Sequence, residues 1–191
     1  MTGVEEKMDE VEVDALKKLL AVATKLNSTL NIQELLQLII STTTDLVGAE
    51  EGSLLLVDED TGELIFYVSS EETDKLVEQR IPAGQGVAGW VVEHAQSASI
   101  NDTASDPRFY RGIDTAVGST TRNLLAVPLS VKDRVIGVLE AINKENGAAF
   151  SASDLERAEA LASLASIAID NSRMYARLTD AVVTARMSYR L

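Results

Sequence analysis

The sequence predicts an α+β domain, and three observations carry that prediction. Short β-branched and aliphatic runs fall into two pairs, each joined by a turn: Gly52–Val57 with Glu63–Ser69, and Leu124–Val131 with Val135–Asn143. Amphipathic stretches stand at both ends of the chain. No glycine or proline interrupts residues 151–191, so that stretch is free to run as one helix. Antiparallel hairpins framed by helices differ from the alternating strands and helices of a parallel sheet.

The chain divides into an N-terminal amphipathic helix (1–30), a globular core (31–150) and a long C-terminal helix (151–191). In the first, Val4, Met8, Val11, Ala15, Leu19, Val22 and Leu26 recur at spacings of three and four, one apolar stripe. Asn31, three residues before Glu34, opens a second helix in the manner of a capping box, and Ile32, Leu35, Leu36, Ile39, Ile40 and Leu46 carry it to Gly48. The first hairpin turns at Asp58–Gly62 and the second at Lys132–Arg134. Between them lie a short apolar helix at Val87–Glu93 and an irregular stretch over 101–122, whose length marks a functional loop or lid.

Ser151 with Asp154 opens the last helix, roughly 55 Å long at 1.5 Å per residue. Leu161, Leu164, Ala168, Asn171, Tyr175, Leu178, Val182, Ala185 and Tyr189 fall at three-four spacing along it. Its first half packs on the sheet. Only the N-terminal helix or another subunit is left to cover the second, which predicts a homodimer with Leu164, Ala168, Tyr175, Leu178 and Val182 on its seam.

Composition removes much chemistry. The 191 residues include no cysteine and one histidine, and carry a formal charge of −13. Disulfides, thiolate nucleophiles, Cys-ligated metals and multi-His centres within one chain are excluded, so no metal or cofactor is expected. The acidic balance argues against nucleic acid or an anionic membrane as partner. The acidic start, Met1–Asp14, is unlike a signal peptide, and no apolar run approaches the ~18 residues of a span, so a cytoplasmic protein is expected. Residues 31–150 hold 19 acids against eight bases, while 151–191 hold five of each. The charge thus sits on the core, leaving the terminal helices free to pair.

Three features invite a sharper reading. Gly84-Gln-Gly-Val-Ala-Gly89 matches a dinucleotide-binding loop literally, with Asp106 as a possible ribose acid. Its context, after Pro82 and among antiparallel hairpins, favours a tight turn that starts the Trp90 helix. His94 ends that helix, where its charge suits the dipole. An enzyme pairing His94 with a loop carboxylate and a haem ligated by His94 stay open beside an exposed helix-end histidine. Asp102, Asp106 and Asp114 with Arg108, Arg111 and Arg122 decorate the long loop, either as ligand-orienting groups or as loop tethers. Trp90, Phe109 and Tyr110 are the candidate pocket wall, and Asp102 and Arg122 its polar members; ordinary core packing is the alternative, for Trp90 above all.

In combination and order, several segments resemble the GAF domain, a sensory module of signalling proteins, over roughly residues 28–178. They are Gly52–Asp58, Ile81–Trp90, Ile100–Phe109, Asn123–Leu129 and Val135–Lys144. The resemblance implies a central antiparallel sheet of about six strands, with the terminal helices on one face and short helices plus a long loop enclosing a small-molecule pocket on the other. Asn143-Lys144, Phe150 and Asp154 match a pattern of cyclic-nucleotide-binding members, with Leu155 where that pattern has Glu. A pairing of Lys144 with Asp154 at the strand–helix junction would explain the match structurally. The family's bilin-attaching and methionine-sulfoxide-reducing branches use a cysteine, which this chain lacks. The expectation is a bacterial, non-catalytic small-molecule sensor acting through a homodimeric helix bundle. Cyclic-nucleotide binding and a purely structural dimerisation module are the alternatives.

Overall fold

The structure, a computed structural model, describes residues 20–29, 31–69, 76–109 and 120–188. Helix α1 covers residues 20–28. It is followed by α2 (Ile32–Val47), β1 (Ala49–Val57), β2 (Leu64–Ser69), β3 (Leu76–Ile81), α3 (Gly86–His94) and β4 (Ala98–Ile100). Then come β5 (Leu124–Val131), β6 (Arg134–Lys144), a 3-10 turn at Glu145–Gly147 and α4 (Ala152–Ser188). The strands form one sheet in the order β3-β2-β1-β6-β5-β4, with every neighbouring pair antiparallel. The fold is α+β, as the sequence predicts. Of the expected N-terminal helix, residues 1–19 lie outside the described residues.

Local chemistry sets the helix boundaries. Asn31 Oδ1 accepts the Gln33 and Glu34 amides at 2.9 and 3.4 Å, satisfying donors that a helix start leaves free. Gly48, at φ 59°, turns the chain left-handed after α2 and donates to the Thr44 carbonyl. At the other junction, Asp154 Oδ2 accepts from the Ser151 amide and hydroxyl, while Ser151 Oγ accepts the Asp154 amide. This reciprocal cap starts α4.

Strands β1 and β6 pair at the centre of the sheet and are covered on both faces, hence their nearly continuous apolar sequences. Side chains alternate between two cores. Leu54, Leu56, Leu139 and Ala141 meet α2 and α4, with Leu26 of α1 joining them. Leu55, Val138, Leu124 and Ala126 face the opposite side, where Val87 and Val91 of α3 and Phe66 of β2 close a second core. Gly137 lets the central strands meet, since a Cβ there would lie 2.3 Å from the Leu55 carbonyl oxygen.

Helix α4 requires a correction to the expected dimer seam. Ala158, Leu161, Ala162, Ala165 and Ile169 bury its first half against the sheet and α2. Ala168 is only 3% exposed and is therefore taken up by the protomer's own core, whereas Leu164 is partly buried against that core. Leu161, Ala168, Tyr175 and Val182 share one heptad phase, yet the first two are buried and the last two more than half exposed. From Met174 onward the described large apolar side chains of the helix are exposed, and a seven-residue repeat drifts by roughly 20° per heptad around a straight helix. Among the described residues of α4, the exposed large apolar side chains are Ile167, Met174, Tyr175, Leu178 and Val182.

Candidate functional site

The face turned away from α2 and α4 carries the second core. Alternation along β1 puts Ser53 on the same face as Leu55, and along β6 puts Glu140 with Val138. Ser53 and Glu140 are register partners, and Ser53 Oγ donates to Glu140 Oε2 at 2.6 Å. Both are buried, so a carboxylate and a hydroxyl sit together at the middle of an otherwise apolar sheet face. Helix α3 packs over β5 and β6 on this side.

The glycines that begin α3 are explained by packing. Gly84 and Gly86 have φ of 72° and 74°, a left-handed backbone that side chains disfavour. A Cβ on Gly89 would lie 2.3 Å from the Gly84 carbonyl carbon, so α3 folds directly onto its own entry loop. The flanking strands β3 and β4 occupy opposite edges of an antiparallel sheet. A dinucleotide loop needs a crossover between parallel strands. The fold therefore does not supply the setting for that reading.

Trp90 and Phe109 both pack against the second core and are half-buried. The Arg108 guanidinium sits 4.6 Å from the centroid of the Trp90 ring, a cation–π contact. Asp106 holds it there through a fork, Nε to Oδ1 at 3.0 Å and Nη2 to Oδ2 at 2.7 Å. The Arg108 hydrogen bonds draw the Asp106 pKa below its usual value, and Asp106 in turn raises that of Arg108. His94 stacks on Trp90 at 4.5 Å, and its Nδ1 lies 2.9 Å from the Trp90 carbonyl oxygen. No ion pair joins His94 to a carboxylate among the described residues.

Asp102 and Arg122 are not brought to the Trp90–Phe109 wall. Asp102 accepts from the Ala104 amide and the Ser105 hydroxyl within its own turn. Arg122 pairs with Glu50 on the surface at 2.7 Å. Tyr110, Arg111 and Asp114 lie outside the described residues. The two ends of the long loop are tied to each other and to the sheet. Thr103 bonds to the Thr121 and Arg122 carbonyls, while Asn143, at φ 58°, accepts the Arg122 amide and donates to the Thr120 carbonyl.

Asn143, Lys144, Phe150 and Asp154 form a structural junction. Lys144 Nζ bonds Asp154 Oδ1 at 3.0 Å and also donates to the Val47 carbonyl, so it ties the ends of α2 and β6 to the start of α4. It lies 5.9 Å from the centroid of the buried Phe150 ring. Burial alone would raise the Asp154 pKa, but the bonds from Ser151 and Lys144 outweigh it and the net direction is downward.

Ser53 and Glu140 were not singled out by sequence reasoning. The one available signal is an acid placed inside the apolar run Val135–Asn143, where alternation turns it inward.

The model of the GAF domain family matches residues 29–170. Among curated proteins, the probable 3',5'-cyclic phosphodiesterase pde-5 of Caenorhabditis elegans is 28% identical over 156 residues, 76% of this chain. The chain spans only 21% of that relative's length. Among solved structures, the GAF domain of a Coxiella burnetii phosphoenolpyruvate-protein phosphotransferase superposes with a TM-score of 0.73 at 19% identity, covering 85% of this chain and 96% of that one. The free methionine-R-sulfoxide reductase of Neisseria meningitidis gives 0.64 at 21% identity, covering 82% and 89%. At such identities the superpositions establish the fold alone. With the family match spanning most of the chain, and the six-stranded sheet between terminal helices and α3 in agreement, this chain belongs to the GAF domain family.

Proposed function

We propose that this domain is a non-catalytic sensor of a small polar molecule in a bacterial, cytoplasmic signalling protein. The buried Ser53–Glu140 pair carries the reading. Placing a carboxylate on an apolar sheet face costs free energy that packing alone would avoid. Buried acids of this kind cluster where a ligand is recognised. A ligand bearing an N–H or O–H donor is the chemical complement of a buried carboxylate, which accepts hydrogen bonds. Trp90, Phe109 and Arg108 border it from α3 and the loop. The absence of cysteine and the engagement of Asp102 and Asp106 in local bonds support binding over catalysis.

Signal transfer follows from strands shared by both cores. Ala126 and Val138 face the ligand side, while their neighbours Val127 and Leu139 belong to the core shared with α4. A shift of β5 and β6 on binding would reach α4 through that packing. Beyond Ser172 the exposed Met174, Tyr175, Leu178 and Val182 form the homodimeric seam that reads it out.

The relative from Caenorhabditis elegans favours a cyclic nucleotide as one ligand class. The matching Asn143, Lys144, Phe150 and Asp154 do not add to that case, because the junction already accounts for them. A thermal-shift screen of the full chain against cyclic nucleotides and small polar metabolites tests the proposal. A saturable shift that Glu140→Gln weakens at least tenfold is expected. No saturable shift from any compound, or one indifferent to Glu140→Gln, would overturn it.

A further inference from the structure

A second cleft lies at one end of the sheet, between the β1–β2 turn and α4. It occupies about 230 Å³ between the β1–β2 turn, the start of β6 and Arg173 of α4. Val57, Gly62, Val135 and Ile136 give it an apolar floor. Its charged groups are unevenly matched. Glu59 bonds Arg177 at 2.9 Å and Arg134 at 3.1 Å, so one carboxylate serves two arginines. Asp58, also on the wall, is held by Arg80 at 2.9 Å and by the amides of Asp60 and Thr61; Arg80 bonds Glu63 as well. Arg173 forms no salt bridge among the described residues; Glu59 and Tyr67 attract it through space, while Arg177 and Arg134 repel it. Its guanidinium is half-buried, and that burial draws its pKa below the usual arginine value.

From this cleft and the arginines around it, we propose a second binding site on this protein, one for a small oxyanion. Arg173 and Arg134 supply the donors, and Val57, Val135 and Ile136 cover the apolar part of the ligand. A guanidinium offers five N–H donors in a fixed fork that matches carboxylate and phosphate oxygens. Arg134, Arg173 and Arg177 converge on the single carboxylate of Glu59, which concentrates cationic groups at one point of a chain of net charge −13. The volume falls below the ~300–1,000 Å³ of drug-sized pockets. That limits the ligand to an inorganic phosphate or a short-chain carboxylate.

Occupancy also bears on α4. The incoming anion competes with Glu59 for Arg134 and Arg177, and the Glu59–Arg177 bond is a direct tie between the β1–β2 turn and α4. Binding here therefore loosens that tie.

The test is a titration of the full chain with inorganic phosphate and, separately, butyrate, at constant ionic strength, followed by methyl NMR of Val57, Val135 and Ile136. Saturable shifts of these methyls by one or both anions are expected. Arg173→Gln should weaken binding at least tenfold and Glu59→Gln should strengthen it several-fold. The exposed-acid control Glu156→Gln should leave affinity within twofold. Phosphate binding alone would assign the site to phosphate, and butyrate alone to carboxylates. Linear, non-saturating shifts with both anions would overturn the proposal. So would affinity indifferent to Arg173→Gln in a variant whose melting shows it folded, or an equal gain in the Glu156→Gln control.

Discussion

Replacing Asp154 with alanine should weaken the junction that joins the ends of α2 and β6 to the start of α4. The side chain is 7% exposed and accepts a charged hydrogen bond from Lys144, itself 21% exposed, so solvent screens the pair only weakly. Losing that charge-assisted bond costs about 1.5–3 kcal/mol, and losing the helix cap about 1 kcal/mol more. At roughly 2–4 °C per kcal/mol for a chain of this size, Tm should fall by about 5–15 °C. Differential scanning calorimetry of the parent, Asp154→Ala, Lys144→Met and the double variant closes a cycle, whose coupling should be about 1.5–3 kcal/mol. The pH dependence has a definite sign. Asp154 titrates below its ordinary 3.8 in the folded chain, so its contribution is complete above the unfolded pKa and disappears as pH falls through the folded one. The Tm gap between parent and Asp154→Asn should therefore be widest near neutrality and close in acid. A Tm loss under about 2 °C (~0.5–1 kcal/mol), or a coupling below about 0.5 kcal/mol, would refute the account of the junction.

Three further outcomes are expected. Gly89→Ala puts a methyl 2.3 Å from the Gly84 carbonyl carbon, so chemical denaturation should show a loss of at least about 2 kcal/mol, while Gly84→Ala, with nothing within 4 Å of its Cβ but a φ of 72°, should cost about 1–2 kcal/mol from backbone strain alone. Arg108→Gln removes the cation from Trp90, and the emission of this sole tryptophan should shift with a stability loss of about 1 kcal/mol or less. Met174→Asp with Leu178→Asp, at positions 54% and 61% exposed, should leave the fold's melting nearly unchanged and give monomer in sedimentation velocity. Dimer persisting in that variant would remove the helical seam.

What the sequence makes legible follows the range of the interactions involved. Helix α2 is bounded by its own neighbours, Asn31 and Gly48, and β5 by a continuous aliphatic run, so both can be read locally. Strand β3 cannot, because Glu78, Gln79 and Arg80 interrupt its pattern on the sheet edge, and the three residues of β4 are too few to show alternation. Those strands were expected only through the family resemblance. The glycine motif is legible as a motif but not as a cause, since the decisive approach is of Gly89 to Gly84 in three dimensions. The Ser53–Glu140 bond joins residues 87 apart in sequence, and nothing local announces it. In α4 the three-four spacing is visible in the sequence, yet which of its residues are buried depends on where the sheet ends. Sequence periodicity finds the apolar face, while the domain decides what covers it.

The central claim is that a ligand on the Ser53–Glu140 face changes the state of α4. Hydrogen exchange by mass spectrometry tests it directly, on the full chain with and without the strongest compound from the thermal-shift screen. The account predicts slower exchange in β6 and α3 together with altered exchange in α4 beyond Ser172. Protection confined to β6 and α3, with α4 unchanged at saturating ligand, would contradict it.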